Sequence, residues 1–353
     1  MKESTEKLLS ILVPAFNEEE NLSLVFPRLT QVLNELPAHI DYEVIVLDNA
    51  STDRTSVIAR EFCERDHRWK WLRYSRNFGV EASMLAGMDH ASGDAVVLLF
   101  SDLQDPPELI PEFVRQWEKG FDVVVGVLRK RRDYRILKTI GAKIAYWLIY
   151  MLSDCKIPSN ATDFRLLDRK VVDALKLLRE PDRYLRGLVH WIGFHRAYVP
   201  YDRAPRHGGR STAGIWYSVG FAVNAILCFS AKPLRLATVL GGFVAAASFA
   251  YALFALAVHF LHLSFMAVPP PGITTIILLV SFFIGFNTMF LGIIGEYLGR
   301  IYNQGKNRPL YLVDEQVNFD ETVKNRRGPS AQRRFAESAD VSRADAEQGA
   351  RLV

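Results

Sequence analysis

The chain has 353 residues, a length that suggests about two folded units. Hydrophobic residues make up 49% and charged residues 23%, which is apolar for a soluble protein but too charged for one embedded wholly in lipid, and the formal charge of +4 is too small to indicate nucleic-acid binding. The three cysteines Cys63, Cys155 and Cys228 are an odd number without metal-ligand spacing, which excludes a fully paired disulfide framework.

Short apolar runs alternate with helical segments in the first part of the chain. Strands are predicted at residues 8–13, 42–48, 69–75, 95–100 and 122–126, and unbroken Val, Ile and Leu in two of them is typical of parallel strands buried on both faces. Asn17 and Asp105 are each predicted to cap a helix that begins after them. The βαβα order predicts a doubly wound α/β domain whose ligands bind beyond the carboxyl ends of its strands.

Polar residues follow these strands. Asp102 follows a buried strand, where a carboxylate suits a hard divalent cation that bridges phosphates, and Gln104 is a candidate second ligand. Asp105 completes an Asp-x-x-Asp pattern with Asp102, but that pattern is weak evidence for a metal site, and Asp105 has its own explanation as a helix cap. Asp48 fits two roles: it can accept hydrogen bonds from a base or ribose, or it can cap the following helix.

A basic segment precedes the apolar C-terminal half, and it contains Arg203, Arg206, Arg210 and Ser211 with glycines between them. Arginine binds phosphate bidentately, whether on a nucleotide or on a lipid headgroup. A positively charged membrane anchor would explain the position of the segment but not its glycines. Phosphate binding is therefore the favoured interpretation.

Two uncharged apolar runs cover residues 236–258 and 273–295. Each exceeds the roughly 20 residues that a helix needs to cross a bilayer, so we predict a transmembrane hairpin rather than two buried core helices. Lys232 and Arg300 lie outside the runs and no Lys or Arg lies between them, which predicts that both termini are cytoplasmic. Residues 134–152 and 215–229 are predicted interface helices, although the first fits an amphipathic core helix equally well.

Six motifs carry a resemblance to a known family, and from the N-terminal end they are Pro14-Ala15-Phe16-Asn17-Glu18-Glu19, Ser75-Arg76-Asn77-Phe78-Gly79, Asp102-Leu103-Gln104-Asp105-Pro106-Pro107-Glu108, Asp163-Phe164-Arg165-Leu166-Leu167-Asp168, Arg186-Gly187-Leu188-Val189-His190-Trp191 and Asn307-Arg308-Pro309-Leu310-Tyr311. Together they resemble the polyprenyl-phosphate glycosyltransferases of the GT-A fold. The sequence is similar to dolichol-phosphate mannose synthase and, more closely, to bacterial undecaprenyl-phosphate glucosyltransferases with two C-terminal spans. The resemblance covers about residues 8–315.

The resemblance implies the following organisation. A cytoplasmic GT-A catalytic domain, Rossmann-like and doubly wound, would occupy residues 1–213, with an interface helix at 214–232 and two transmembrane helices within 233–298. A juxtamembrane segment at 299–317 would contain a strand, residues 309–313, able to pair with a neighbouring chain. Residues 318–353 would form a charged, disordered tail.

The implied reaction is inverting transfer of a sugar from a UDP-sugar to polyprenyl (undecaprenyl) phosphate. Its cofactor would be Mg²⁺ or Mn²⁺, and its partners would be the donor, the lipid and the membrane, with no nucleic acid. We expect a homo-oligomer in the inner (plasma) membrane of the cell.

The resemblance also implies site residues. Asp163 and Asp102 are the catalytic candidates, and Asp102 and Gln104 would hold the metal ion. The acceptor phosphate would contact Arg203, Arg206, Arg210 and Ser211. The nucleotide-sugar would contact Pro14, Asn17, Glu18, Asp48, Arg76, Asn77, Ser101 and Asp102.

Three positions depart from the family pattern. Phe100 replaces the first aspartate of the usual Asp-x-Asp, Asn49 replaces the second of an Asp-Asp pair, and Gly209-Arg210-Ser211-Thr212-Ala213 lacks the usual lysine. Phe100 favours one alternative, a catalytically inactive membrane scaffold that binds nucleotide-sugar or lipid phosphate. Another alternative is a processive polysaccharide synthase, although the Gln-x-x-Arg-Trp motif and the additional spans of such enzymes are missing.

Overall fold

The computed structural model describes residues 6–129, 160–181, 183–203 and 272–319, together with scattered helical positions between 232 and 250. The predicted interface helices at 134–152 and 215–229 lie outside the described residues. So do Arg206, Arg210, Ser211, most of the first predicted span and the tail after Phe319. These assignments stay predictions.

Strands and helices alternate through the N-terminal half. In chain order they are β1 (Lys7–Ala15), α1 (Glu19–Asn34), β2 (Ile40–Asp48), α2 (Thr55–Arg65), β3 (Trp69–Tyr74), α3 (Val80–His90), β4 (Ala95–Leu98), a short 3₁₀ helix (Pro107–Leu109), α4 (Ile110–Glu118) and β5 (Val123–Leu128). All five predicted strands are present, with shifted ends.

The second half of the α/β domain contains elements that were not predicted from the sequence. They are β6 (Ala161–Asp168), α5 (Arg169–Leu177), α6 (Leu185–Trp191) and β7 (Arg196–Tyr201). The long helix α7 (Gly272–Gly305) and the strand β8 (Val313–Val317) follow further along the chain.

The sheet is mixed, not wholly parallel as its central strands suggested. Its eight described strands have the order β7-β5-β6-β4-β1-β2-β3-β8. The four strands β4, β1, β2 and β3 are mutually parallel, whereas β6 lies antiparallel between β4 and β5. Phe164 packs into the core on one face of the sheet and Leu167 into the core on the other, so β6 is buried on both sides.

Each face of the sheet is covered by helices. Side chains alternate between the two faces along β1, and Ile11 lies in the core that α1, α2 and α4 cover. In the same core Phe26 packs against Trp69, with ring centroids 4.7 Å apart. Leu12 points the other way, into the core of α3, α5 and α6. This three-layer architecture fixes the strand ends that carry the candidate site.

The two predicted helix caps are wrong. Helix α1 begins at Glu19, its N-cap residue Glu18 makes no side-chain capping bond, and the Glu19 N–H donates to Asp53 Oδ2 at 3.2 Å. Asn17 instead adopts a left-handed backbone (φ 53°), and its Oδ1 accepts a hydrogen bond from the Thr52 backbone N–H at 2.8 Å. The helical segment after Asp105 is likewise uncapped, because the Asp105 carboxylate is buried against other partners.

Helix α7 contains the second predicted span and continues beyond it to Gly305. At 1.5 Å per residue it is about 50 Å long. Its segment Phe282–Gly305, with mean hydropathy 1.3 and nothing buried, is the one helix among the described residues that is long and apolar enough to cross a membrane. Arg300 pairs with Glu296 one turn earlier, at 3.2 Å, which supports the extension past residue 295. The two-helix hairpin is therefore not confirmed.

The strand predicted at residues 309–313 begins at Val313 instead. As β8 it pairs antiparallel with β3 of the same chain and forms one edge of the sheet. Pairing with a neighbouring chain stays a prediction.

Candidate active site

The predicted donor-binding residues lie along one edge of the sheet. Pro14 is the penultimate residue of β1, Asp48 is the last residue of its partner β2, and Ser101 follows β4 on the other side of β1. The Ser101 hydroxyl donates a hydrogen bond to the Pro14 carbonyl oxygen at 3.2 Å. Because these strands are parallel, their carboxyl ends meet where a ligand of a doubly wound sheet binds.

Asn17 and Glu18 join the loops that follow β1 and β2. The Asn17 backbone N–H donates to Ser51 Oγ at 3.1 Å, and the Glu18 N–H donates to Thr55 Oγ1 at 2.9 Å. These bonds fix the two loops against each other. The predicted contact of Asn17 and Glu18 with the donor stays a prediction.

Asp48 is completely buried and organises its own loop. One carboxylate oxygen accepts the Ser51 backbone N–H at 2.8 Å, and the other accepts the Ser56 hydroxyl at 2.6 Å. Of the two roles left open by the sequence, these bonds support the structural one. Contact with the nucleotide stays a prediction.

Arg76 and Asn77 are exposed beyond the end of β3. The Arg76 guanidinium lies 4.0 Å from the centre of the Phe78 ring, and Asn77 Oδ1 accepts the Gly79 N–H at 2.8 Å. Since β3 is the neighbour of β2, both residues lie on the same sheet edge as Asp48.

Asp102 and Gln104 flank a strained turn after β4. Leu103, between them, has a left-handed φ of 57°, which residues with a side chain rarely adopt, and Asp102 Oδ1 accepts the Gln104 N–H at 3.2 Å. No group of three or more His, Cys, Asp or Glu side chains forms a metal site within the described part of the chain. One carboxylate and one amide oxygen fit a cation held jointly with a diphosphate, as Mg²⁺ commonly is, but not one held by protein alone.

A cavity of about 110 Å³ lies at the carboxyl ends of β4 and β5. Its charged lining consists of two carboxylates and two arginines: Asp105, Asp163, Arg186 and Arg203. Phe100, which stands in place of the family's aspartate, supplies part of the apolar wall. The candidate catalytic residue thus shares one pocket with a candidate acceptor-binding arginine.

Two arginines hold Asp163. Arg165 Nη2 lies 2.5 Å from Oδ1, and Arg186 Nη2 lies 2.5 Å from Oδ2. Burial alone would raise the pKa of Asp163, but the charges of Arg186 and Arg165 hold that pKa below its ordinary value. Asp163 is therefore a stable anion that orients arginines, and a weak proton acceptor.

Asp105 is the most buried carboxylate of the pocket, with 1% of its surface exposed. It accepts a hydrogen bond from the Tyr201 hydroxyl and pairs with Arg203, whose Nε lies 3.2 Å from Oδ1. Burial raises the pKa of Asp105, and the charge of Arg203 opposes that rise.

Several of these residues have contacts that could not be predicted from the sequence. Arg186 appeared only within a motif, and Arg165 could have been found from its i, i+2 spacing from Asp163 on a strand. Glu81 was missed altogether: its Oε2 accepts the Leu185 N–H at 3.0 Å, and burial, followed by the charge of Asp163, raises its pKa to about 7. Only the tertiary structure reveals that contact.

A mixed α/β sheet with helices on both faces and polar residues beyond the carboxyl ends of its parallel strands is the architecture of the doubly wound α/β class. Residues 10–176 match the family described as glycosyl transferase family 2. The uncharacterized glycosyltransferase sll0501 of Synechocystis sp. is 41% identical over 87% of this chain and 95% of its own length. The chain belongs to this glycosyltransferase family, and the GT-A class predicted for its fold agrees with that membership.

Two further similarities concern proteins with more specific names. The SfII prophage-derived bactoprenol glucosyl transferase of Shigella flexneri is 36% identical over 86% of this chain and 97% of its own length. Among solved structures, glucosyl-3-phosphoglycerate synthase from Mycobacterium tuberculosis is 20% identical, with 63% of this chain and 78% of that chain covered and a TM-score of 0.41.

Proposed function

We propose that the protein transfers a sugar from a nucleotide-diphospho-sugar, most simply a UDP-sugar, to a polyprenyl phosphate with inversion at the anomeric carbon. The observation that carries the proposal is the pocket in which Asp163, Arg186 and Arg203 converge at the strand ends. The lipid acceptor is supported by relatives of nearly equal length that are named for transfer to bactoprenol, a polyprenyl lipid.

The donor would lie along the edge formed by β4, β1, β2 and β3. Support comes from the alignment of Pro14, Asp48 and Ser101 along it, with Arg76 and Asn77 at the end of β3. The strained turn at Leu103 brings Asp102 and Gln104 to the same edge. The diphosphate would therefore lie next to the Asp163 pocket.

A divalent cation fits this arrangement as a partner of the donor. When bound, it would neutralise charge on the departing diphosphate, and Asp102 and Gln104 would hold it. Since a diphosphate supplies further oxygen ligands, the carboxylate lost at Phe100 leaves the site weaker but complete.

The nucleophile of the proposed reaction is an oxygen of the acceptor phosphate. A phosphate monoester has a second pKa of about 6, so its oxygen is largely ionised at pH 7 and needs no strong base. An Asp163 carboxylate with a lowered pKa suits this chemistry, because it can orient Arg186 without taking a proton. Arg203, with Arg206, Arg210 and Ser211 beyond the described residues, would hold the phosphate against repulsion from the donor.

The membrane part follows from the nature of the acceptor. The side chains of α7 described as exposed are mostly large and apolar, among them Phe282, Leu291 and Ile301, which suits contact with lipid. We propose two spans with both termini in the cytoplasm of an inner-membrane protein that assembles as a homo-oligomer. The lipid phosphate would then reach the pocket at the bilayer surface.

Purified full-length protein tests the proposal directly. It is incubated with undecaprenyl phosphate, Mg²⁺ or Mn²⁺ and a panel of nucleotide-sugars, and the lipid fraction is analysed by mass spectrometry. We expect one polyprenyl-phosphate-sugar, formed only with its matching donor and with inverted configuration. Absence of a lipid-linked sugar with every donor would contradict the proposal and favour the inactive scaffold.

A further inference from the structure

Asp105 connects two segments whose roles are otherwise separate. It belongs to the loop after β4 that contains Asp102 and Gln104, yet its carboxylate lies against the end of β7 and the residues that follow. There it pairs with Arg203, the first arginine of the basic segment. The loop proposed for the donor and the segment proposed for the acceptor phosphate thus meet at one buried ion pair.

The contacts of Asp105 restrict how Arg203 can lie. Arg203 Nε is 3.2 Å from one carboxylate oxygen, and Arg203 Nη2 is 3.5 Å from the other. Arginine has five N–H donors in a fixed planar fork, so a carboxylate that occupies one side of the fork sets the direction of the other. The Nη1 group has no hydrogen-bond partner among the described residues.

Tyr201 in turn holds the Asp105 carboxylate in place. Its hydroxyl donates to Asp105 Oδ1 and lies 3.3 Å from Thr162 Oγ1. Tyr201 is 5% exposed and Asp105 is 1% exposed, so neither side chain has room to reorient. Arg203, by contrast, has 36% of its side chain exposed. The two buried side chains, Tyr201 and Asp105, therefore support the Arg203 guanidinium. Arg203 lines the cavity together with Arg186 and Asp163.

We propose that Asp105, supported by Tyr201, is a positioning residue that orients Arg203 so that its remaining N–H groups meet the acceptor phosphate. This inference rests on the proposed function, since it takes the acceptor to be a polyprenyl phosphate. Because only 1% of the Asp105 surface is exposed, it acts through Arg203 and not through direct contact with a substrate. Its removal therefore weakens acceptor binding through Arg203 and leaves donor binding intact.

Tyr201→Phe is the central variant, because it removes one hydrogen bond to Asp105 and keeps the buried ring. Tyr198→Phe, at an exposed position three residues earlier on β7, is the matched control. With undecaprenyl phosphate and the donor found for the wild type, Tyr201→Phe should raise the acceptor KM about tenfold, the scale of one misplaced charge-assisted hydrogen bond. The donor KM should stay within about twofold, and Tyr198→Phe should match the wild type in both.

A double-mutant cycle between Asp105→Asn and Arg203→Gln separates positioning from a general structural role. If Asp105 acts through Arg203, Asp105→Asn should raise the acceptor KM in the wild type but add less than about twofold when Arg203 is already replaced. Additive effects, or equal rises in the KM of donor and acceptor, would overturn the inference. If Asp105→Asn does not fold, the comparison of Tyr201→Phe with Tyr198→Phe decides it.

Binding without turnover distinguishes failure of this inference from failure of the proposed function. Farnesyl phosphate, a short prenyl phosphate, is titrated into wild type, Tyr201→Phe and Tyr198→Phe by calorimetry. Weaker binding by Tyr201→Phe alone supports the positioning role even if no sugar is transferred. Equal binding by all three proteins contradicts it even if the wild type makes the lipid-linked sugar.

Discussion

The Asp163 carboxylate is kept ionised by the arginines that surround it. Arg165 is completely buried and Arg186 lines the cavity, and both contact Asp163 at 2.5 Å. An anion held by two arginines stays ionised and keeps Arg186 in a fixed direction, which is the preorganisation that stabilises developing negative charge. At the scale of single residues, the pocket would therefore act, under the proposed function, by electrostatic stabilisation and not through proton transfer by Asp163.

Glu81 gives a pH-dependent prediction at the same scale. Its pKa rises from the ordinary 4.5 to about 7 in the folded protein, because the carboxyl is buried and lies near the Asp163 anion. Between pH 4.5 and 7 the folded state therefore binds more protons than the unfolded state, and stability falls as the pH rises through this window. Glu81→Gln keeps an acceptor for the Leu185 N–H but removes this dependence.

The measurement is the Tm of both proteins in detergent from pH 5 to pH 8. The Tm of Glu81→Gln relative to wild type should increase with pH. Glu20→Gln, at an exposed carboxylate in the first turn of α1, is the control and should show no such trend. Parallel profiles for Glu81→Gln and wild type would contradict the assignment.

Phe100 gives a prediction about cation binding. Phe100→Asp would restore a second carboxylate two residues from Asp102, and cation affinity grows with the number of charged ligands. In the presence of UDP, we expect the variant to bind Mn²⁺ about tenfold more tightly than wild type, as measured by electron paramagnetic resonance of free Mn²⁺. Phe100→Asn is the control, because asparagine is nearly the same size as aspartate but uncharged, and it should not bind Mn²⁺ more tightly than wild type. Equal affinity of Phe100→Asp and Phe100→Asn would show that position 100 does not face the cation.

A candidate site residue could be selected from the sequence when the features that mark it are close to it in the chain. Asp102 could be selected because it follows a buried strand, and Asp163 because its motif resembles a family. Asp105 was misassigned as a helix cap, since its true partners, Tyr201 and Arg203, lie almost a hundred positions away. Sequence proximity carries no information about such contacts.

At the scale of elements, β8 and its flanking residues attach the end of α7 to the catalytic domain. Asn318 Nδ2 donates to the backbone carbonyls of Cys63 at 2.7 Å and Trp69 at 2.8 Å, and Tyr311 donates to Asp89 at 2.8 Å. β8 itself pairs with β3. A membrane-spanning α7 would thus be fixed to the sheet directly beyond its C-terminal end.

Asn318→Ala tests this attachment. The variant loses two hydrogen bonds and places alanine at a left-handed φ of 63°, so the free energy of unfolding of the catalytic domain should fall by about 2 kcal/mol. Thermal unfolding in detergent measures the loss. Gln316→Ala, exposed on the same strand, should unfold like wild type. A stability for Asn318→Ala equal to that of Gln316→Ala would refute the role of Asn318.

Strands could be predicted from the sequence where the pattern of apolar residues matches the burial of the strand. Four of the five predicted strands are rich in Val, Ile and Leu and are largely buried, and the fifth, β3, buries Trp69, Trp71 and Tyr74. By contrast, β7 alternates buried and exposed positions towards its end, and β8 is almost wholly exposed. No strand was predicted at β6, in which Asp163 and Arg165 interrupt the apolar residues. Its antiparallel insertion between β4 and β5 depends on pairing across the chain, which local pattern does not encode.

At the scale of the whole molecule, a glycosyltransferase domain is continuous with a helix suited to a membrane. The apolar excess noted in the sequence is partly explained by α7, whose described large side chains are exposed rather than packed. This combination suits the proposed acceptor, a membrane lipid, because the pocket and the lipid phosphate would then lie at the same surface.

The rate of lipid-linked sugar formation by Asp163→Asn is the most direct test of whether the Asp163 pocket is the site of sugar transfer. Asp173→Asn, at an exposed aspartate on α5, serves as the matched control. With undecaprenyl phosphate and the matching nucleotide-sugar, Asp163→Asn should lose about a hundredfold or more in kcat, because Arg186 and Arg165 lose their anion, while Asp173→Asn stays within about twofold of wild type. Equal rates of product formation for Asp163→Asn, Asp173→Asn and wild type would contradict the assignment of the pocket as the site of transfer.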